Sequence, residues 1–181
     1  MKQKRIVIIG AVAAGTKTAA KARREAPNAD ITLITDEAEI SYASCGTPYF
    51  ISDMIKESHS LIVRTPDYFQ KMLNIKVLEE DEIKRFEADA NGNITNVVTK
   101  KRTVPAELVL LAIGTKPNIQ MAKEAGVAIG QTGAICVNEK METNIPDIYA
   151  VGDCVETIHL ITNKPAWIPL ATTSNKQGRC C

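Results

Sequence analysis

The apolar positions of this chain come in short bursts divided by polar turns. Ile6-Val-Ile-Ile9, closed by Gly10, is an uninterrupted β-branched run and predicts a strand, Arg5–Gly10, buried on both faces. Ala13–Glu25 is rich in Ala and Lys, stops before Pro27 and predicts a helix. Ile31–Thr35 predicts a second short strand, followed by the acidic turn Asp36-Glu-Ala-Glu39. Strand, helix and strand in close succession make a βαβ unit, which implies a parallel sheet.

Further along, Ser41–Phe50 reads as a loop punctuated by Gly46 and Pro48, and Pro66–Leu73 as a short helix. From Ile75 to Thr103 the pattern changes to short strands. Ile83–Ala88 and Ile94–Thr99 flank Asn91-Gly92, a pair that favours positive φ and predicts a type I′ hairpin turn. Leu108–Ile113, Ala134–Val137 and Ile148–Val151 are the remaining strands, and Leu170–Gln177, after Pro169, is a closing helix. No low-complexity segment, linker or repeat breaks the pattern. The expectation is an α/β fold in one domain over 1–181: a first half over 1–74, a small antiparallel meander over 75–103 and a second half over 104–181.

Composition removes several classes of function. With 22 basic against 21 acidic residues, net charge +1, there is no electrostatic reason to expect nucleic acid or an anionic membrane as partner. Three Phe, four Tyr and one Trp are too few and too scattered for a base-stacking platform. No apolar run approaches the ~20 residues of a membrane span. Met1–Arg5 and the apolar run after it imitate a signal peptide, but Thr16–Glu25 continues as a basic helix with no break for a mature start. The five cysteines, at 45, 136, 154, 180 and 181, contain no CxxC, and His59 and His159 lie apart from them. Neither a zinc site nor a disulfide framework is expected, and the thiols read as those of a reducing cytoplasm.

One segment carries chemistry at once. A strand, then Gly10-Ala-Val-Ala-Ala-Gly15, then a helix is a variant of the dinucleotide fingerprint. Gly10 suits the tight exit turn, Gly15 lets the helix approach the sheet, and the helix N-terminus offers N–H groups to a pyrophosphate. Val12 stands where that fingerprint has its middle glycine, and a tight βα turn in any α/β core would leave the same trace. The acidic ribose ligand expected at the end of the second strand is displaced: Thr35 holds the position with Asp36 beside it, and either would serve.

Further segments, in order, add to that fingerprint. Ile6–Gly15 (IVIIGAVAAG), Ile40–Phe50 (ISYASCGTPYF), Val109–Asn118 (VLLAIGTKPN) and Asn144–Cys154 (NIPDIYAVGDC) together resemble the FAD-dependent pyridine nucleotide-disulfide oxidoreductases. They look most like the branch of coenzyme A-disulfide reductase and the related NADH oxidases and peroxidases, and His159–Arg179 continues the likeness. The resemblance implies a Rossmann-like parallel sheet with helices and a small antiparallel meander. It also implies that Gly10, Val12, Ala13, Ala14 and Gly15 hold the FAD pyrophosphate, with Thr35 or Asp36 on the adenosine ribose. Ser44, Ala112 and Gly114 would lie along the cofactor. Gly152-Asp153 would accept a hydrogen bond from the flavin ribitol, although Asp153 by itself would equally cap a turn before Cys154. Pro169 and Leu170 would open a helix aimed at the pyrimidine edge of the flavin.

Cys45, in Ser41-Tyr-Ala-Ser-Cys-Gly-Thr-Pro-Tyr49, has no second cysteine before Cys136. The resemblance is therefore to the single-cysteine branch. There one thiol beside the flavin acts on a small-molecule disulfide, a coenzyme A thiol or a peroxide, and NAD(P)H is the reductant. Ser41 and Gly46 keep its loop small. Cys136 and Cys154 fit buried hydrophobes better, and Cys180-Cys181 reads as tail. Lys17, Arg23 and Arg64 are candidate partners for coenzyme A phosphates, Lys17 and Arg23 equally a solvated helix face. Members of the family carry an inserted NAD(P)H domain and a C-terminal dimerisation domain. With one fingerprint and one Ala-Ile-Gly strand exit, no NAD(P)H site is evident here. The expectation is an FAD domain with weak NAD(P)H-dependent turnover, or a non-catalytic flavin-binding module. A bare domain face leaves homodimer formation open.

Overall fold

The structure, a computed structural model, describes residues 3–180. The chain forms two compact units, one ending at Gly114 and the other beginning at Thr115.

The first unit is built around β1 (Arg5–Ile9), whose last four residues are all buried. Strand side chains alternate between faces, so Ile6 and Ile8 enter one core and Val7 and Ile9 another. After β1 come α1 (Ala13–Glu25), β2 (Asp30–Ile34), the short α2 (Thr47–Ile51), α3 (Pro66–Leu73) and β3 (Lys76–Leu78). A meander of β4 (Ile83–Ala88), β5 (Ile94–Thr99) and β6 (Thr103–Pro105) leads to β7 (Leu108–Leu111). The parallel sheet runs β3-β2-β1-β7, and the antiparallel sheet β4-β5-β6. Ala19 of α1 and Phe69 of α3 cover one face of the parallel sheet with Ile8 and Leu33. Val97 and Val104 of the meander cover the other with Val7 and Ile34. The result is three layers, with an apolar central strand that has no solvent face, which is why β1 reads as a continuous hydrophobic run.

Arg23, near the end of α1, stitches this unit together. Its guanidinium donates to Leu73 O (2.8 Å), Pro27 O (2.7 Å), Ala29 O (2.8 Å) and Asn74 O (2.6 Å). It thereby joins the end of α1, the turn into β2 and the end of α3. It is not a free cation awaiting a phosphate.

The hairpin between β4 and β5 differs from the expected type I′ turn. Only Gly92 has positive φ (+83°), and the loop spans five residues, Asp89 to Asn93. The Asp89 carboxylate accepts the N–H groups of Asn91 and Asn93, both at 2.9 Å, so a side chain organises the wider loop.

The second unit holds α4 (Gln120–Glu124), β8 (Ile135–Cys136), β9 (Val155–His159), β10 (Lys164–Ala166) and α5 (Ala171–Gln177). Its sheet runs β10-β9-β8 over a core of Val127, Ile135 and Val155. Ile148–Val151, expected as a strand, makes only an isolated bridge between Tyr149 and Glu142. Ala150 donates to Met141 O and Thr143 to Ile148 O, so the segment's backbone is satisfied by folding back on its own neighbours. The β9–β10 hairpin was not anticipated, because no glycine marks its turn. Asn163 takes the left-handed conformation instead (φ +52°).

A buried carboxylate anchors this unit. Glu156 accepts from Thr132 N–H (2.9 Å), Thr132 Oγ1 (2.6 Å) and the Cys136 thiol (3.5 Å). A Cβ on Gly130 would fall 1.8 Å from Glu156 Oε1, so only glycine leaves room for the carboxylate. Burial by itself would raise the Glu156 pKa, but the Thr132 and Cys136 donors outweigh it and hold the carboxyl below its ordinary range. Burial, and then the Glu156 carboxylate, push the Cys136 thiol up.

Two outcomes follow. Arg23→Ala strands four carbonyls and should cost about 2 kcal/mol, read as a lowered midpoint in urea unfolding. Because the folded pKa of Glu156 is depressed, its stabilisation is complete above the ordinary carboxylate pKa and is lost as pH falls through the lower folded value. Glu156→Gln should therefore be less stable than wild type at neutral pH, with the gap closing in acid, as monitored by the emission of Trp167, the sole tryptophan, in this unit.

Candidate functional site

The first unit contains a cavity of about 860 Å³ at the C-terminal end of the parallel sheet. Two glycines determine its floor. Gly10 leaves β1 with φ +98° and donates to Ile34 O at 2.8 Å, and a Cβ there would stand 2.3 Å from Ala112 O. A Cβ on Gly15 would stand 1.7 Å from Gly10 O, closer than any atoms can approach. The start of α1 therefore rests on the backbone of the turn before it, which in turn rests on the chain leaving β7.

Val12 is the N-cap of α1 and cannot cap through its side chain, and no acidic residue lies in the first turn. Thr16 turns its hydroxyl back to Val12 O at 2.5 Å. The exposed first turn, Ala13 and Ala14, thus presents N–H groups that lack intrahelical acceptors. Gly10, Val12, Ala13 and Ala14 all line the cavity, with Thr35 and Asp36 at the end of β2 and Ala112 and Gly114 after β7. Eight of the residues singled out from sequence thus share one cavity, with Gly15 packed beneath them against Gly10 and Ala112.

The two ribose candidates differ in their surroundings. Thr35 is buried, and its hydroxyl accepts the Glu37 N–H at 3.2 Å. Asp36 is exposed at the cavity edge. Glu37, Asp81, Glu82, Ile83 and Phe86 also line the cavity and went unrecognised in sequence. The strand β4 was legible from its place before Asn91-Gly92, but which of its residues meet the end of β2 depends on long-range packing. Asp81 is fully buried, accepting from Lys101 N–H (3.2 Å) and pairing with Arg102 (3.0 Å). Next to this end, burial followed by the repulsion of Glu39 and Glu80 pushes the Glu79 carboxyl up, a mark of crowded negative charge.

Cys45 is exposed within a single 3-10 turn, Ser44–Gly46, and it and Ser44 lie outside the cavity lining. Their loop is nevertheless attached to it. Ser41 donates to Ala11 O in the glycine loop at 2.7 Å and accepts from Val63 N–H at 3.0 Å, with its own backbone at φ +54°. Ala43 N–H bonds Leu61 O (2.8 Å), and the Tyr42 hydroxyl meets Thr47 Oγ1 (2.9 Å), bridging across Cys45. A Cβ on Gly46 would lie 2.7 Å from Leu61 Cδ2. Of the candidate phosphate partners, Lys17 is exposed, Arg23 is engaged as described, and Arg64 sits over the Tyr68 ring at 5.0 Å.

In the second unit Gly152 and Asp153 form a 3-10 turn with Cys154. Gly152 (φ +86°) donates to Gln177 Oε1 at 2.8 Å, Ser174 Oγ reaches Asp153 Oδ1 at 3.1 Å, and Trp167 Nε1 donates to Asp153 O at 2.7 Å. Pro169 precedes Leu170, the N-cap of α5. His59 is exposed in the 3-10 turn Ser58–Leu61, and His159 Nδ1 accepts the N–H groups of Ile161 and Thr162 in the β9–β10 turn. Among the described residues no helix is long and apolar enough to cross a membrane.

Comparison with known proteins agrees with this geometry. Residues 54–178 match the pyridine nucleotide-disulphide oxidoreductase family. An NAD(P)H coenzyme A polysulfide/persulfide reductase of Pyrococcus horikoshii is 50% identical over 90 residues, 50% of this chain and 20% of that protein. An NADH oxidase of Methanocaldococcus jannaschii is 25% identical over 307 residues, covering 97% of this chain and 68% of that one. Since this chain has 181 residues, that alignment is interrupted by long stretches of the oxidase with no counterpart here. The crystal structure of a FAD-dependent pyridine nucleotide-disulphide oxidoreductase from Desulfovibrio vulgaris superposes with a TM-score of 0.66 at 32% identity, covering 98% of this chain and 41% of that one. The chain thus spans a fifth of the Pyrococcus reductase and about two fifths of the Desulfovibrio protein. It belongs to the pyridine nucleotide-disulphide oxidoreductase family, and its fold is the Rossmann type of the FAD-binding members.

The contact between α1 and Gly10 sets the sharpest test of this geometry. Gly15→Ala must displace the helix start or the Gly10 turn, at a cost of about 3 kcal/mol in chemical denaturation.

Proposed function

We propose that the chain binds FAD through the cavity of the first unit and serves as a flavin- and thiol-dependent reductase. Its substrate would be a small-molecule disulfide or persulfide, with coenzyme A thiol as the partner released, or a peroxide. The observation that carries the reading is the hydrogen bond from Ser41 N–H to Ala11 O, which ties the loop of the one exposed early cysteine directly to the phosphate loop.

The residues suit the cofactor on chemical grounds. The uncapped N–H groups at the start of α1 are donors for a pyrophosphate, and small side chains from Gly10 to Gly15 leave it room. The exposed carboxylate of Asp36 is an acceptor for two ribose hydroxyls. We assign that role to Asp36 rather than Thr35, whose hydroxyl is buried and engaged with Glu37. In the second unit the Asp153 carboxylate is the acceptor for the ribitol, and Pro169-Leu170 are assigned to the flavin edge. When bound, the flavin supplies hydride acceptance from a nicotinamide and onward transfer of electrons to sulfur. Cys45, held in the loop that Tyr42 and Thr47 bridge, would attack as its thiolate. It would break the substrate S–S bond to give a mixed disulfide and a released thiolate, or the peroxide O–O bond to give a sulfenic acid and hydroxide. Two electrons from the reductant would restore the thiol. Free thiols at Cys45, Cys136, Cys154 and Cys180 are in keeping with a reducing cytoplasm.

A second reading, a flavin-binding module without efficient turnover, is favoured by the interrupted alignment with the Methanocaldococcus oxidase. Without a positioned nicotinamide, loss of proximity alone would cost many orders of rate. One experiment separates the readings. Purified protein incubated with FAD and freed of excess should keep a flavin spectrum, and Asp36→Ala should weaken FAD about tenfold, the scale of a lost charged hydrogen bond. Cys45→Ser should keep FAD and lose NADH-dependent reduction of coenzyme A disulfide. Flavin retained without any such reduction in the wild type selects the module, and a protein that stays colourless overturns both.

A further inference from the structure

We propose that Ser174 and Gln177 are positioning residues that fix Asp153 to receive a polyol hydroxyl, with Trp167 completing the clamp; this rests on the reading that Asp153 binds the flavin ribitol. Asp153 is exposed, and an exposed aspartate in a turn ordinarily keeps its rotamers. Here three side chains from one short stretch of chain converge on the dipeptide Gly152-Asp153. Gln177, itself buried, takes the Gly152 N–H through Oε1 at 2.8 Å. Ser174, one helical turn earlier on the same face of α5, brings Oγ to 3.1 Å from Asp153 Oδ1. The Trp167 indole N–H holds the Asp153 carbonyl at 2.7 Å. Backbone donor, backbone acceptor and one carboxylate oxygen are thus all fixed.

The other oxygen, Asp153 Oδ2, has no donor among the described residues. It is the acceptor that the clamp leaves for a ligand. Stabilising a turn requires only the two backbone bonds, from Trp167 and to Gln177; the bond to the carboxylate adds nothing to turn closure but orients Oδ2. The Ser174 hydroxyl has a single proton and lies 3.1 Å from both Asp153 Oδ1 and Leu170 O. Its proton therefore has an alternative acceptor within the helix, and the Asp153 bond is one that a ligand on Oδ2 would favour by fixing the carboxylate. Preorganising an acceptor in this way saves the ligand the ordering cost at binding.

Trp167 also provides the measurement, since it is the only tryptophan in the chain and is bonded to the turn in question. Titration with FAD should quench its emission in the wild type. Ser174→Ala should weaken FAD about tenfold, Ser174→Thr should restore it to within about twofold, and Gln177→Leu should weaken it at least as much as Ser174→Ala. ADP, which lacks the ribitol, should bind all these variants and the wild type alike, measured by calorimetry. Should Gln177→Leu fail to fold, Ser174→Ala with its Thr rescue carries the test. Unchanged FAD affinity in Ser174→Ala, failure of the Thr rescue, or equal loss of ADP and FAD binding each overturns the proposal. A wild type that binds ADP but shows neither quenching nor retained flavin overturns the parent reading, and this one with it.

Discussion

Everything in the first unit depends on how closely a helix can be set against the turn that precedes it. The Cα of Gly15 lies so near the carbonyl oxygen of Gly10 that a methyl group there would overlap it, and Gly10 meets the Ala112 carbonyl almost as closely. Strand, helix and the exit of the neighbouring strand are thereby locked at one point. The same closeness leaves the first helical turn directly over the end of the sheet, with its N–H groups facing an open volume rather than side chains. The glycines are thus required by packing alone, and the shape of the cavity is a consequence of that packing. This is why a fingerprint with Val12 at its centre still builds the cavity: Val12 lines it and is not among the atoms that crowd Gly10 or Gly15.

A second constraint brings the thiol loop to the same point. Ser41 sits in a left-handed conformation that an L-residue adopts at some cost, and it is held there by backbone bonds on both sides, to Ala11 and from Val63. Strain of this kind persists where the surroundings over-determine it. Downstream, the Tyr42–Thr47 bond and the Leu61 side chain against Gly46 restrict the loop further, so Cys45 is exposed without being loose.

What was legible in the sequence was what local chemistry determines. The bounds of α1, α3, β4 and β5 follow from prolines, alanine content and the Asn91-Gly92 turn. The cavity residues from Gly10 to Ala14 and at Thr35–Asp36 follow from the strand–turn–helix spacing. Less legible were features set by distant partners. The apolar run Ile148–Val151 has the composition of a strand, yet its backbone is satisfied by residues 141–143, and strand identity depends on finding a neighbour. Arg23 read as a surface cation because its four acceptors come from segments as far away as Asn74. Phe86 and Glu82 reach the cavity only through the docking of the meander onto the sheet, which periodicity cannot specify. The need for glycine at 130 comes from the Glu156 carboxylate, 26 residues away.

The charge pattern of the cavity gives it a direction. One end presents unsatisfied N–H groups and the positive end of the α1 dipole, with no acidic side chain in that turn. The other end carries Asp36, Glu37 and Glu82, with Glu39, Glu79 and Glu80 close by in sequence; burial, and then the repulsion of Glu39 and Glu80, raises the Glu79 pKa. Lys84 pairs with Glu82 and Arg102 with Asp81, which leaves Asp36 as an exposed carboxylate at the cavity edge with no cation bonded to it among the described residues. An anion is therefore stabilised at the first end and repelled at the second. A ligand with a central pyrophosphate and uncharged sugar hydroxyls beyond it fits that gradient in one orientation only. The same ligand with a phosphate in place of a ribose hydroxyl would set like charges against each other at the exposed acidic edge, a repulsion that salt would weaken. On the proposed reading, Asp36 would hold the ribose while Glu37 and Glu82 beside it would disfavour a phosphate there.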